Sequence, residues 1–80
     1  MKIKVIVTLK EGVLDPQGKA IQQTLNGMGF SEVNEVRQGK YFEIDTKETD
    51  PKKAKDNVEE MCKKLLANLV IENYKIIDAQ

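Results

Sequence analysis

Gly12, Gly18 and Lys19 space out as G-x-x-x-x-x-G-K where an alternating strand gives way to an amphipathic helix, the place a phosphate-cradling loop would occupy. The pattern departs from such a loop in three respects. Five residues separate the glycines instead of four, Ala20 stands where a magnesium-binding Ser or Thr belongs, and Asp15 puts a carboxylate on the helix N-terminus that a phosphate would need. Asp15 followed by Pro16 suits a helix N-cap and first helical position instead: the carboxylate accepts orphan backbone N–H groups, and proline has none to lose. Gly18, inside the first helical turn, costs about 1 kcal/mol relative to alanine. That cost predicts that something packs close against the turn, from within the chain or from a partner.

The other groups able to do chemistry are few. A Gln17-Gly18 step after the first strand suits a phosphate loop of the acylphosphatase kind, but no arginine follows to clamp the phosphate; Lys19-Ala20-Ile21-Gln22-Gln23 stands there, and the only arginine is Arg37, expected on the second strand. Cys62 has no histidine to activate it and lies beside Met61 on an apolar helix face, so its thiol reads as a small core residue. The carboxylates Glu59-Glu60 and Glu32/Glu35 sit in charged stretches with nothing to shift their pKa values. Arg37-Gln38-Gly39-Lys40-Tyr41-Phe42 mixes basic and aromatic residues as RNA-recognition sheets do, yet the first strand carries no stacking aromatic.

Composition agrees with this sparse inventory. Thirteen basic and thirteen acidic residues cancel among 80, which leaves no field to attract nucleic acid or a membrane surface. One cysteine and no histidine exclude a disulfide framework and a Cys/His pair for zinc, and they remove the commonest acid–base side chain, so self-contained catalysis is not expected. No apolar run is long enough to span a bilayer and no signal core opens the chain, so the expected setting is cytoplasmic. Residues 1–80 suffice for one small domain with a modest core.

These groups must be positioned by a short series of elements. Ile3, Val5, Val7 and Leu9 alternate with Lys2, Lys4, Thr8 and Lys10 as a half-buried strand, with Ile6 the apolar exception. Ile21, Leu25 and Met28 follow at helical spacing, with Gly27 and Gly29 as stop signals. Val33 to Gln38 and Tyr41 to Thr46 read as two strands of a hairpin around Gly39, a position suited to positive φ. Asp50-Pro51 repeats the cap pairing and opens a helix with Ala54, Val58, Met61, Cys62, Leu65 and Leu69 on one face, ending near Asn68. In Tyr74 to Asp78, the adjacent Ile76 and Ile77 predict a strand buried on both sides. The sum is α+β: a two-layer βαββαβ domain of the ferredoxin-like kind, an antiparallel sheet with two helices on one face. Its open face should carry Lys4, Ile6, Thr8 and either Tyr41 with Glu43 or Phe42 with Ile44. That mixture predicts a homo-oligomer, dimer or tetramer, that covers it.

Three segments together carry a family resemblance: Leu9-Lys10 through Gly12-Val13-Leu14-Asp15-Pro16-Gln17-Gly18; Val36-Arg37 with Gly39-Lys40 and Glu43; and Met61-Cys62-Lys63-Lys64-Leu65-Leu66-Ala67-Asn68 running to Val70-Ile71-Glu72 and Tyr74. Across essentially its whole length the chain resembles the small, PurS-type subunit of phosphoribosylformylglycinamidine synthase, with departures at Leu69 and Asn73. The resemblance implies a PurS-like fold and a place in purine biosynthesis, in an ATP- and glutamine-dependent C–N ligase. It implies that a glutaminase subunit and a large synthetase subunit do the chemistry with ATP, magnesium and glutamine. This chain would bind no cofactor or metal, and would bridge the two so that ammonia passes between them.

Under that reading the turn of Asp15, Pro16, Gln17, Gly18 and Lys19 and the segment of Arg37, Gly39 and Lys40 are candidate interface residues, with Arg37 as a planar donor fork toward a partner carboxylate or carbonyl. The competing class is a dimeric ferredoxin-like module that binds a small regulatory ligand.

Overall fold

The computed structural model describes residues 1–79. Alternation in β1 (Lys2–Leu9) buries Ile3, Val5 and Val7 on one face. The Asp15 cap and Pro16 start α1 (Pro16–Gly27), and Gly29, at φ +103°, turns the chain after it. β2 (Gly39–Asp45) follows, then α2 (Pro51–Met61), capped by the Asp50 carboxylate accepting from Lys52 N–H at 3.0 Å. A π-turn (Cys62–Leu66) extends α2, and β3 (Glu72–Ala79) ends the described chain.

β1 is the central strand of a three-stranded sheet of order β2-β1-β3, antiparallel to both neighbours. The β1–β2 register runs from Lys2 opposite Asp45 to Thr8 opposite Gly39. On the other edge Leu9 faces Glu72 and Val5 faces Ile76, with a bulge before the Lys4–Asp78 pair. α2 lies on the Ile3/Val5/Val7 face, where Ala54, Val58, Cys62 and Ala67 complete the core and Phe42, Ile44, Tyr74 and Ile76 pack around it.

The α+β class, the antiparallel sheet and both helices are as expected. Several particulars are corrected. Val33 to Gln38 joins no ladder: instead of folding back along β2 it runs against the start of α1, where the Gln38 N–H goes to the Asp15 carboxylate and the Arg37 side chain to the Lys10 and Val13 carbonyls. Gly39 is therefore the first residue of β2 and not a hairpin turn, and its φ is not positive. α1 does not share the sheet face with α2. Strands are about 4.8 Å apart, so three strands offer roughly the width of one helix, about 10 Å, and α2 fills it. Among the described residues α1 makes only marginal contact with the strands. It projects as an arm, in a molecule 48 × 25 × 14 Å.

The π-turn shifts the expected apolar face of α2. Its extra residue, marked by Ala67 N–H reaching the Cys62 carbonyl at 3.0 Å, leaves Leu65 83% exposed and brings Leu66 and Ala67 inward instead. Met61 and Leu69 are likewise exposed. Ile77, next to the bulge, is exposed too, so β3 is covered on one side only. Tyr41 and Glu43, opposite Ile6 and Lys4, take the open face, while Phe42 and Ile44 face the core.

Candidate functional site

The two candidate segments, separated by most of α1 and its return, meet in space. Asp15 is where they join. Its Oδ1 accepts the Gly18 N–H at 2.9 Å and caps α1; its Oδ2 accepts the Gln38 N–H at 2.7 Å and anchors the returning segment. Gln38 also donates from Nε2 to Gln17 Oε1 at 2.8 Å. Gly18 is buried because the returning segment lies against it: a Cβ there would meet the Val36 carbonyl oxygen at 2.2 Å and Asp15 Oδ2 at 2.7 Å. The helix-weakening glycine thus has its cause within the chain.

Arg37 is the planar fork that its residue type suggested, but the carbonyls it finds are its own chain's. Nη1 donates to Val13 at 2.9 Å and Nη2 to Lys10 at 3.1 Å, closing the turn that holds Gly12 at φ +85°. Within the chain the fork is an internal clasp. Arg37 stands on the connecting segment, not on a strand.

Lys40 lies on the far side of this cluster, its Nζ 3.4 Å from Glu72 Oε2. Glu72 is the residue that sequence reasoning missed: buried at the start of β3, it accepts the Asn68 N–H at 2.7 Å and closes the corner after the π-turn. An acid two turns of chain beyond a helix gives no local signal of such a role. Asp15, Gln17, Gln38, Gly39, Lys40 and Glu72 together line a shallow concavity of ≈ 180 Å³. Lys19 instead borders a second one, ≈ 210 Å³, with Leu14, Gln22 and Arg37, and Pro16 is exposed at the start of α1. Gly39 is needed for space, since a Cβ there would meet the Val7 carbonyl at 2.6 Å.

The electrostatics follow from these bonds. The N–H groups of Gln38 and Gly18, helped by the Arg37 charge, hold the Asp15 carboxyl below its ordinary value against the opposing effect of burial. The Asn68 N–H and then Lys40 do the same for Glu72. Burial pushes the Cys62 thiol up, with Glu59 adding to the shift, so the thiolate is disfavoured. Both depressed carboxylates contribute stability in full above the range where unfolded carboxylates titrate, about pH 4, and lose it as pH falls through their lower folded values. Urea midpoints are therefore expected to fall steeply below about pH 4 and to do so less in Asp15→Asn/Glu72→Gln; an identical slope in that variant would contradict the assignment. Among the described residues no group of His, Cys, Asp and Glu could hold a metal ion, and no helix is long and apolar enough to cross a membrane.

The arrangement is a set of ties between two connecting segments. Known proteins identify it. The PurS family model, described as phosphoribosylformylglycinamidine (FGAM) synthase, matches residues 2–79. A phosphoribosylformylglycinamidine synthase subunit PurS from Bacillus subtilis is 53% identical over 74 residues, 92% of this chain and 87% of that one. The crystal structure of Methanocaldococcus jannaschii PurS, a subunit of formylglycinamide ribonucleotide amidotransferase, aligns with TM-score 0.85 and 51% identity over 95% of this chain and 92% of that one. A chain in the structure of PurLQS from Thermotoga maritima aligns with TM-score 0.85 and 27% identity over 99% of each. The chain belongs to the PurS family, the PurS subunits of the purine-biosynthetic ligase FGAM synthase.

Proposed function

We propose that this chain is the non-catalytic adaptor of its synthase, holding a glutaminase subunit against an ATP-dependent synthetase subunit so that ammonia passes between their sites without entering solvent. Ammonia in neutral water is protonated and lost as a nucleophile, so such a reaction needs a closed junction. ATP, magnesium and glutamine are used by the other chains, and none is bound here.

The observation that carries the reading is the uncovered arm. A three-turn helix in water is marginal unless its apolar face is packed, yet Ile21, Met28 and Phe30 are 41%, 68% and 47% exposed. A surface of this kind is built for association. The full-length likeness to a chain of a PurLQS assembly supports the same conclusion. The open sheet face, with Ile6 and Tyr41 exposed side by side, is covered in this reading by a second copy of the chain, giving a homo-oligomer.

Reconstitution tests the adaptor role. With the host's glutaminase and synthetase subunits, omitting this chain is expected to abolish glutamine-dependent amidine formation while ammonia-dependent formation persists. Undiminished glutamine-dependent turnover without the chain would remove the bridging role, and light scattering that finds only monomer at micromolar concentration would remove the homo-oligomer.

A further inference from the structure

α1 has no strand to hold it, yet its direction relative to the sheet is set. All the ties that set it lie at one level, where the arm leaves β1 and where it returns to β2. On the outgoing side the Arg37 fork bridges the Lys10 and Val13 carbonyls across the turn at Gly12, a glycine with open space around it and φ +85°. Between the two sides, the Asp15 carboxylate joins the first turn of α1 to Gln38, and the Gln38 side chain reaches Gln17. On the return side the Val36 carbonyl rests against Gly18, where any side chain would intrude. At the far end Asn26 Nδ2 donates to the Phe30 and Val33 carbonyls, which makes the helix and its return segment one body.

We propose that Asp15, Arg37 and Gln38 form a latch that positions residues 16–36 as a single arm, and that Arg37 acts as a positioning residue of this latch through its own chain's carbonyls. Few buried apolar contacts hold the arm, so it opens as a unit separately from the sheet and α2 when the latch is cut. With the adaptor reading, the latch has a consequence: an arm already held at its docking angle loses less conformational freedom when a partner covers it. The latch itself does not depend on that reading.

Amide hydrogen exchange of the full chain tests it without any partner subunit. In Arg37→Ala, amides within residues 17–36 are expected to exchange about tenfold faster, the loss of roughly one net hydrogen bond's stabilisation, while those of β1 and α2 keep their rates. Arg37→Lys, which keeps the charge but not the fork, should give a smaller acceleration in the same segment. Unchanged arm exchange would overturn the latch, as would equal acceleration throughout the chain or global unfolding of both variants. Failure of reconstitution with an intact exchange result would instead count against the adaptor alone.

Discussion

Ile3→Ala is expected to remove most of the stability of the chain. Ile3 is wholly buried in the central strand, opposite Ile44, and belongs to a small core that among the described residues has seven buried hydrophobic members, drawn from β1, α2 and the corner after it. Truncating such a side chain costs about 2–5 kcal/mol, the lost transfer energy plus the cavity left behind. A domain near this size has about 3–5 kcal/mol in total from one core. The variant should therefore be largely unfolded by circular dichroism at 25 °C, or melt in very little urea. A loss below about 1 kcal/mol, the effect of an average substitution, would mean that the sheet and α2 are not the main source of stability. The exposed arm residue Ile21 is the matched control. Its truncation is expected to change the stability of the free chain by less than about 0.5 kcal/mol.

What was legible in the sequence was local. Asp15-Pro16 and Asp50-Pro51 mark both helix starts because a cap needs only its own next few N–H groups. The alternation of β1 names its buried face because the period of a strand is a property of the strand. Val33 to Gln38 was misjudged because an extended segment can use its polar groups outside a sheet, and here Arg37 and Gln38 are tied to Lys10, Val13 and Asp15, more than twenty residues earlier. The apolar stripe of α1 states which side is apolar but not what covers it, so a helix expected on the sheet stands off as an arm. The π-turn left no mark in the apolar pattern either: one extra residue within Cys62–Leu66 turns Leu65 outward, just before the corner that Glu72 closes on Asn68.

The candidate site divides the same way. The residue types were right: Asp15 caps, Arg37 donates as a fork, and Gly18 marks a close approach. Their partners were not legible, because Lys10, Val13, Val36 and Gln38 meet these three residues through backbone groups, and backbone groups leave no signature in side-chain identity. Surface and internal roles for Arg37 consequently looked alike in the sequence. The structure shows the internal role, with each terminal nitrogen donating to a carbonyl of its own chain.

Gly18→Ala brings propensity and packing into opposition, and packing is expected to win. In a helix interior the change from glycine to alanine gains about 1 kcal/mol; Gly27→Ala, at the last helical residue with no positive φ and nothing within 4 Å of the new methyl, should be stabilising by about 0.4–1 kcal/mol. At Gly18 the methyl would lie 2.2 Å from the Val36 carbonyl oxygen and 2.7 Å from Asp15 Oδ2. Neither atom can yield cheaply. Asp15 is held by two backbone N–H groups, and Val36 belongs to a segment fixed at Arg37 and Gln38. Overpacking of this kind costs about 1–3 kcal/mol, so the two glycines of one helix should respond with opposite signs. Each kcal/mol moves the melting temperature of so small a domain by about 4–8 °C, which thermal denaturation of the two variants resolves. Every atom in the Gly18 contact belongs to one chain, so the loss must appear in the isolated protein. If it appeared only in assembly with partner subunits, the close approach would lie across an interface and the latch would not be the reason for the glycine.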